Sequence, residues 1–120
     1  MARHNDLGKW GEGLAVEWLA EKGFEILRTN WRHRRSEIDV IAMRNGIYHF
    51  IEVKYRESGK YGFPEERVSR SKIRNIMSGA VHWLYEQHVP AEKRVQYDVL
   101  AIRLTGQQPP EYLLIEDVSL

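Results

Sequence analysis

Apolar residues recur along this chain at two spacings, and each change of spacing marks a new element. Leu7, Trp10, Gly11, Leu14, Ala15, Trp18, Leu19 and Lys22 fall at helical intervals, which predicts a first helix from a cap at Asn5 or Asp6 to about Lys22, stopped by Gly23. Residues 24–30 read as a short strand. The basic turn Asn30-Trp31-Arg32-His33-Arg34-Arg35 joins it to the most regular part of the chain, where residues 37–43 and 47–53 are rich in Ile, Val, Tyr and Phe and flank Asn45-Gly46, a strong short hairpin signal. Gly59, Gly62 and Pro64 break the pattern over residues 55–67, an irregular stretch of the length seen in substrate-contacting flaps and in plain surface loops. Ile73, Ile76, Met77, Ala80, Val81 and Leu84 form the stripe of a second helix, from Ser69 or Ser71 to about Gln87 and ended by Pro90. Residues 97–104 make a further strand, and beyond Pro109-Pro110 residues 112–115 can add a last one at the edge. The order helix, strand, strand, strand, helix, strand is an α/β arrangement with helices packed on a mixed sheet.

The hairpin carries an electrostatic oddity. With Asn45-Gly46 as its loop, Asp39 lies across from Glu52 and Glu37 across from Lys54; a four-residue loop keeps that pairing, whereas a three- or five-residue loop slips it by one and separates the carboxylates unless a bulge intervenes. Two carboxylates so opposed have β-carbons roughly 5 Å apart and repel each other, and their same-face neighbours Ile41, Tyr48 and Phe50 keep water away. A hard divalent cation would satisfy such a pair, and Lys54 points to the same spot. On a helical wheel Glu12 falls at the edge of the first helix's apolar arc, either as a third acid aimed at the hairpin or as an ordinary boundary residue. Lys72, at the edge of the second stripe, either reaches a phosphate near the site or is solvated. Trp31 among arginines either stacks on a nucleobase or roofs the core.

At 120 residues and 14.2 kDa the chain is long enough to bury one core, and it reads as a single domain with a core over about residues 6–105 and a C-terminal extension over 106–120. The absence of cysteine excludes disulfides and thiolate zinc sites and fits a reducing compartment. No apolar run suits a signal peptide or a membrane span, so a cytoplasmic protein without membrane contact is expected. A net charge of +1 says little about partners, but its distribution says more. Arg28, Arg32, Arg34 and Arg35 lie in a run without acids, as do Arg67, Arg70, Lys72 and Arg74; each run is a phosphate-facing patch or a solvated face. The histidines show no paired ligand spacing. Gly8-x-x-Gly11-x-Gly13 precedes any strand and so is no dinucleotide loop; its glycines suit close approach of helix to sheet.

Taken together, Gly8-x-x-Gly11-Glu12-x-x-Ala15, Asn30-x-Arg32, Glu37-Ile38-Asp39, Glu52-Val53-Lys54-x-Arg56, Gly62-x-Pro64 with Lys72 downstream, and Asp98-Val99 resemble the YraN family of small bacterial proteins. That family is similar to the PD-(D/E)XK nucleases and, distantly, to archaeal Holliday junction resolvases. The resemblance implies an α-β-β-β-α-β restriction-endonuclease-like core. It implies Asp39 and Glu52 as ligands of Mg2+ or Mn2+, with the Val53 carbonyl as a third and Glu12 completing the site, and Lys54 as the group that positions or polarises the attacking water. Lys72 and Asp98 match family positions without an assigned role. Ser36 stands where glycine is usual, and Gln96 and Tyr97 where arginine and phenylalanine are usual, which bears on the backbone at 36 and on a phosphate contact at 96.

The expected function is therefore a Mg2+-dependent nuclease acting on DNA, with Arg32, Arg34, Arg35, Arg56 and Lys72 facing the nucleic acid. RNA and a homodimer are left open. Two readings compete: a binding or partner-docking module that keeps the nuclease shape without cutting, and a structural ion-pair network of Glu37, Lys54, Asp39 and Arg56 with no ligand.

Overall fold

Asn45 and Gly46 both take left-handed φ values, 53° and 74°. That is the two-residue turn whose twist matches that of paired strands, and the hairpin it closes is the centre of the sheet. The computed structural model describes residues 2–56, 70–104 and 109–118, and the side chains of all of these except 2–10 and 56. Helix α1 (Ala2–Glu21) leads into β1 (Glu25–His33), β2 (Ser36–Arg44) and β3 (Ile47–Arg56); α2 (Arg70–Glu86) crosses to β4 (Val95–Arg103), and β5 (Glu111–Ile115) follows. The strands lie in the order β1-β2-β3-β4-β5, with β3 and β4 parallel and every other neighbouring pair antiparallel. This is an α/β fold with a five-stranded mixed sheet between two helices, consistent with a restriction-endonuclease-like core.

Each helix covers one face. Ala15 and Leu19 of α1 bury Val40, Ala42, Ile51, Leu100 and Ile102, whereas Ile76, Ala80 and Trp83 of α2 bury Trp31, Ile38, Ile41 and Phe50. Two glycines let the layers close. A β-carbon on Gly11 would stand 2.9 Å from the Tyr55 ring, and one on Gly79 would stand 2.7 Å from the β-carbon of Ser36. The serine at position 36 is thus received by a helix residue with no side chain, and its hydroxyl donates to the Asn75 carbonyl at 2.7 Å.

Several boundaries differ from the sequence expectation. β1 continues through Arg32 and His33, so the turn is Arg34-Arg35 alone; α1 begins before Asn5. Tyr55 and Arg56 belong to β3, while Gly59, Gly62, Pro64 and Arg67 lie outside the described residues. Trp31 roofs the core, 6% exposed. Val81 does not join the α2 stripe: the buried positions are Ile73, Ile76, Gly79, Ala80 and Trp83, and Val81 faces outward. Among the described residues no helix is long and apolar enough to cross a membrane.

Candidate functional site

The hairpin ladder has the expected register, from Arg44 opposite Ile47 to Val40 opposite Ile51, and there it stops. Beyond that point β2 stays paired with β1 as far as Ser36, and β3 stays paired with β4 as far as Arg56. The sheet forks, and Asp39 and Glu52 stand at the fork. Alternation along β2 breaks at the same place, since Val40 and Ala42 face α1 while Ile41 and Ile38 both face α2. Across from this break, Asn30 of β1 takes a left-handed φ of 49°.

Asp39 and Glu52 therefore do not form a ladder pair. The Asp39 carboxylate turns into the fork, and its Oδ2 accepts the Val53 backbone N–H at 2.8 Å, a strand hydrogen bond supplied by a side chain. Burial pushes its carboxyl up to about 6; the Val53 N–H opposes this, Glu52 and Glu37 add to it, and the Lys72 ammonium lowers it. Glu52 is 5% exposed, and its Oε2 is buried without a hydrogen-bond partner. Its other oxygen, Oε1, lies 2.9 Å from Lys72 Nζ. That lysine reaches over from the first turn of α2, and hydrogen bonding to Glu52 raises its pKa.

The remaining sequence candidates fall around this pair. Lys54 and Glu12 are half-buried, and among the described residues neither side chain forms a hydrogen bond or ion pair. Gly11 seats α1 against Tyr55, which brings Glu12 toward β3 from the opposite layer. Among the described residues, however, Glu12, Asp39 and Glu52 do not all bring ligand atoms within 4.8 Å of one another. Val53 contributes its N–H to Asp39 and its side chain to the α1-side core. Glu37 pairs with Arg32 at 3.3 Å on the surface rather than with Lys54, an exposed bridge of small energetic weight. Arg34 and Arg35 are exposed at the β1–β2 turn, and the Arg56 side chain lies outside the described residues.

A second polar cluster sits on the α1 side of the sheet. His49 Nδ1 and Asp98 Oδ2 are 2.6 Å apart and both residues are buried. Asp98 Oδ1 accepts from Gln96 Nε2 at 3.3 Å and from the Asp117 N–H at 2.9 Å. Glu116 lies close enough to complete a three-ligand set with His49 and Asp98, but its Oε1 pairs with Arg44 at 2.9 Å. With every Asp98 oxygen already satisfied, the cluster acts as a polar staple that ties the segment after β5 to β3 and β4. Gln96 is a member of it. Sequence spacing could not reveal this contact, because His49 and Asp98 meet only through the parallel β3–β4 pairing.

Fold and site define a small α/β domain whose central sheet opens on a carboxylate pair, Glu52 buried and Asp39 partly so, bridged to a helix lysine. The chain belongs to the UPF0102 family: the model of that family, described as "Uncharacterised protein family UPF0102", matches residues 11–102, in agreement with the YraN resemblance drawn from the motifs. UPF0102 proteins similar to it include one from Cytophaga hutchinsonii, 40% identical over 117 residues and covering 98% of both chains. One from Flavobacterium psychrophilum is 39% identical over 85% of this chain and 84% of its own, and one from Chlorobium phaeobacteroides is 45% identical over 82% and 77%.

Proposed function

We propose that this protein is a nuclease that hydrolyses phosphodiester bonds in DNA with Mg2+ or Mn2+. The observation that carries the reading is the Glu52 Oε2 atom, buried and unpartnered beside an Asp39 carboxyl that burial disfavours as an anion. Leaving a buried charged oxygen unsatisfied is expensive, and an all-oxygen donor set of two carboxylates with a strand carbonyl at Val53 suits a hard divalent ion. Asp39 and Glu52 would hold the ion, with Glu12 approaching from α1. Such an ion supplies Lewis acidity and a bound water of lowered pKa. The protein's own groups do the rest: the Val53 N–H fixes the Asp39 carboxylate, burial holds Glu52 out of bulk water, and Lys54 and Lys72 offer ammonium charge to a phosphate. The cysteine-free chain fits work in a reducing cytoplasm.

The test is to incubate purified protein with single-stranded, duplex and branched DNA in Mg2+ or Mn2+. Cleavage should disappear in Asp39→Ala and Glu52→Ala and fall steeply in Lys54→Ala; cleavage unchanged in all three would belong to a contaminant.

One observation favours a second reading, a nucleic-acid-binding or docking module that does not cut. The Lys72 ammonium already supplies a positive charge to Glu52, so the pair is partly neutralised without a metal. Calorimetry separates the two readings: Mn2+ binding that Asp39→Asn with Glu52→Gln abolishes supports the nuclease, and no binding supports the module.

A further inference from the structure

The outer side of α2 carries a stripe that the core does not use. Val81 and Tyr85 are 64% and 80% exposed, one turn apart on the same face as Ser78 and Arg74. Opposite them stands the β1–β2 turn with His33 and Arg34, and the two walls enclose an open trough of about 470 Å³. The His33 and His82 rings stack face to face, centroids 3.5 Å apart and 11° from parallel, so an imidazole pair joins the two walls. Rings so stacked keep their in-plane lone pairs in separate, nearly parallel planes, so they do not converge on one metal ion. Among the described residues, no three-ligand set includes them.

We infer that this trough binds single-stranded nucleic acid, with a base seated on Tyr85, Val81 and the imidazole pair and the backbone running along Arg34 and Arg74 toward the fork. Three considerations select that occupant. Both walls are basic: Arg34 and Arg35 are exposed on the turn and Arg70 and Arg74 on α2, and the first acid on α2, Glu86, is engaged by His82 at 3.3 Å. A polyanion fits them, whereas a second copy meeting this face about a two-fold axis would oppose its own arginines. The exposed floor is aromatic and apolar, which duplex DNA, with its bases stacked inward, leaves without a partner but an unpaired strand does not. The direction is also right. Asp39 lies only three residues beyond Ser36, which directly follows the Arg34-Arg35 turn, about 10 Å at roughly 3.3 Å per residue, so a strand leaving the trough past that turn runs toward the carboxylates. The inference rests on the nuclease reading for what lies at the far end, but it is read out by binding alone.

The experiment is fluorescence anisotropy of labelled oligothymidylate and of a matched duplex, in chelator so that nothing is cut. Tyr85→Ala should weaken oligothymidylate binding about tenfold, as loss of one base stack implies, with Tyr85→Phe restoring it and duplex binding unchanged. Arg34→Gln should flatten the salt dependence by about one phosphate's contribution. Equal binding of duplex and single strand with no response to Tyr85→Ala overturns the inference, as does a dimer in sedimentation that Tyr85→Ala splits, since a second copy then fills the trough. If Tyr85-dependent binding is found and no DNA is ever cut, the nuclease reading fails and the trough stands.

Discussion

Replacing Asp39 with asparagine should make the metal-free protein more stable, and the size of the gain follows from where the carboxyl sits. Its pKa in the folded chain is raised from 3.8 to about 6. At 1.36 kcal/mol per pH unit that is about 3 kcal/mol, an upper bound because some of the group still meets water. The sign is that of a raised acid. The native state holds its proton more tightly than the unfolded chain, so the penalty is absent below about pH 4, grows through pH 6 and is complete above it. Asparagine keeps an oxygen for the Val53 N–H and removes the charge; it also forfeits the weaker attraction to Lys72. The expected gain is about 2–3 kcal/mol at pH 8, roughly 10 °C in Tm for a domain of this size, and near zero at pH 4. Thermal melts by circular dichroism across that pH range, in chelator, measure it. Manganese at a hundredfold excess over its Kd should then raise the wild-type curve by about 2.7 kcal/mol and leave the variant where it was. An asparagine variant that melts lower than wild type at pH 8 would mean that Asp39 belongs to a stabilising ion-pair network, and the argument for a cation at the fork would be lost.

Other substitutions probe the surroundings. Lys72→Met strips Glu52 of its only described counter-charge; because the lysine is half exposed, a loss of about 1–2 kcal/mol in urea unfolding is expected, smaller when Mn2+ is present. Gly79→Ala pushes a methyl into Ser36 and Trp31 and should cost about 1–3 kcal/mol, with Ser36→Gly recovering part of it in a double-mutant cycle. Asp98→Ala leaves the buried His49, and the Asp117 N–H, without their acceptor; a loss of about 3–5 kcal/mol with Mn2+ affinity unchanged in the folded fraction would separate the staple from the site.

What could be read in the sequence was whatever depends on local chemistry. Asn45-Gly46 dictates a two-residue turn, and the turn dictates the register, so the placement of Asp39 near Glu52 was legible before any coordinates. Gly11 as a point of helix–strand contact was legible too, from glycine's lack of a side chain. The fork was not. Strict alternation predicts a continued ladder, and nothing in the residues 36–39 announces that Ile38 turns to the α2 side while Val40 stays with α1. Lys72 could be named as a basic residue near the site, but not as the partner of Glu52, because a helical wheel fixes a direction and not a distance across layers. Val81 misled for a related reason: apolarity assigns it to the buried stripe, whereas the packed face runs through Gly79, Ala80 and Trp83 and leaves Val81 outside. The nuclease family resemblance supplied roles for Glu12 and Lys54 that the described contacts neither use nor obstruct.

The bond from the Val53 amide to Asp39 gives the molecule a built-in gauge. Elsewhere in the strand an amide proton is held by another backbone group and registers little but local unfolding; this one is held by a titrating carboxylate. Its nuclear magnetic resonance frequency should therefore track the charge on one oxygen pair. A single peak, in unlabelled solution conditions and without substrate, would register protonation on acidification and capture of a cation at neutral pH as two distinct displacements.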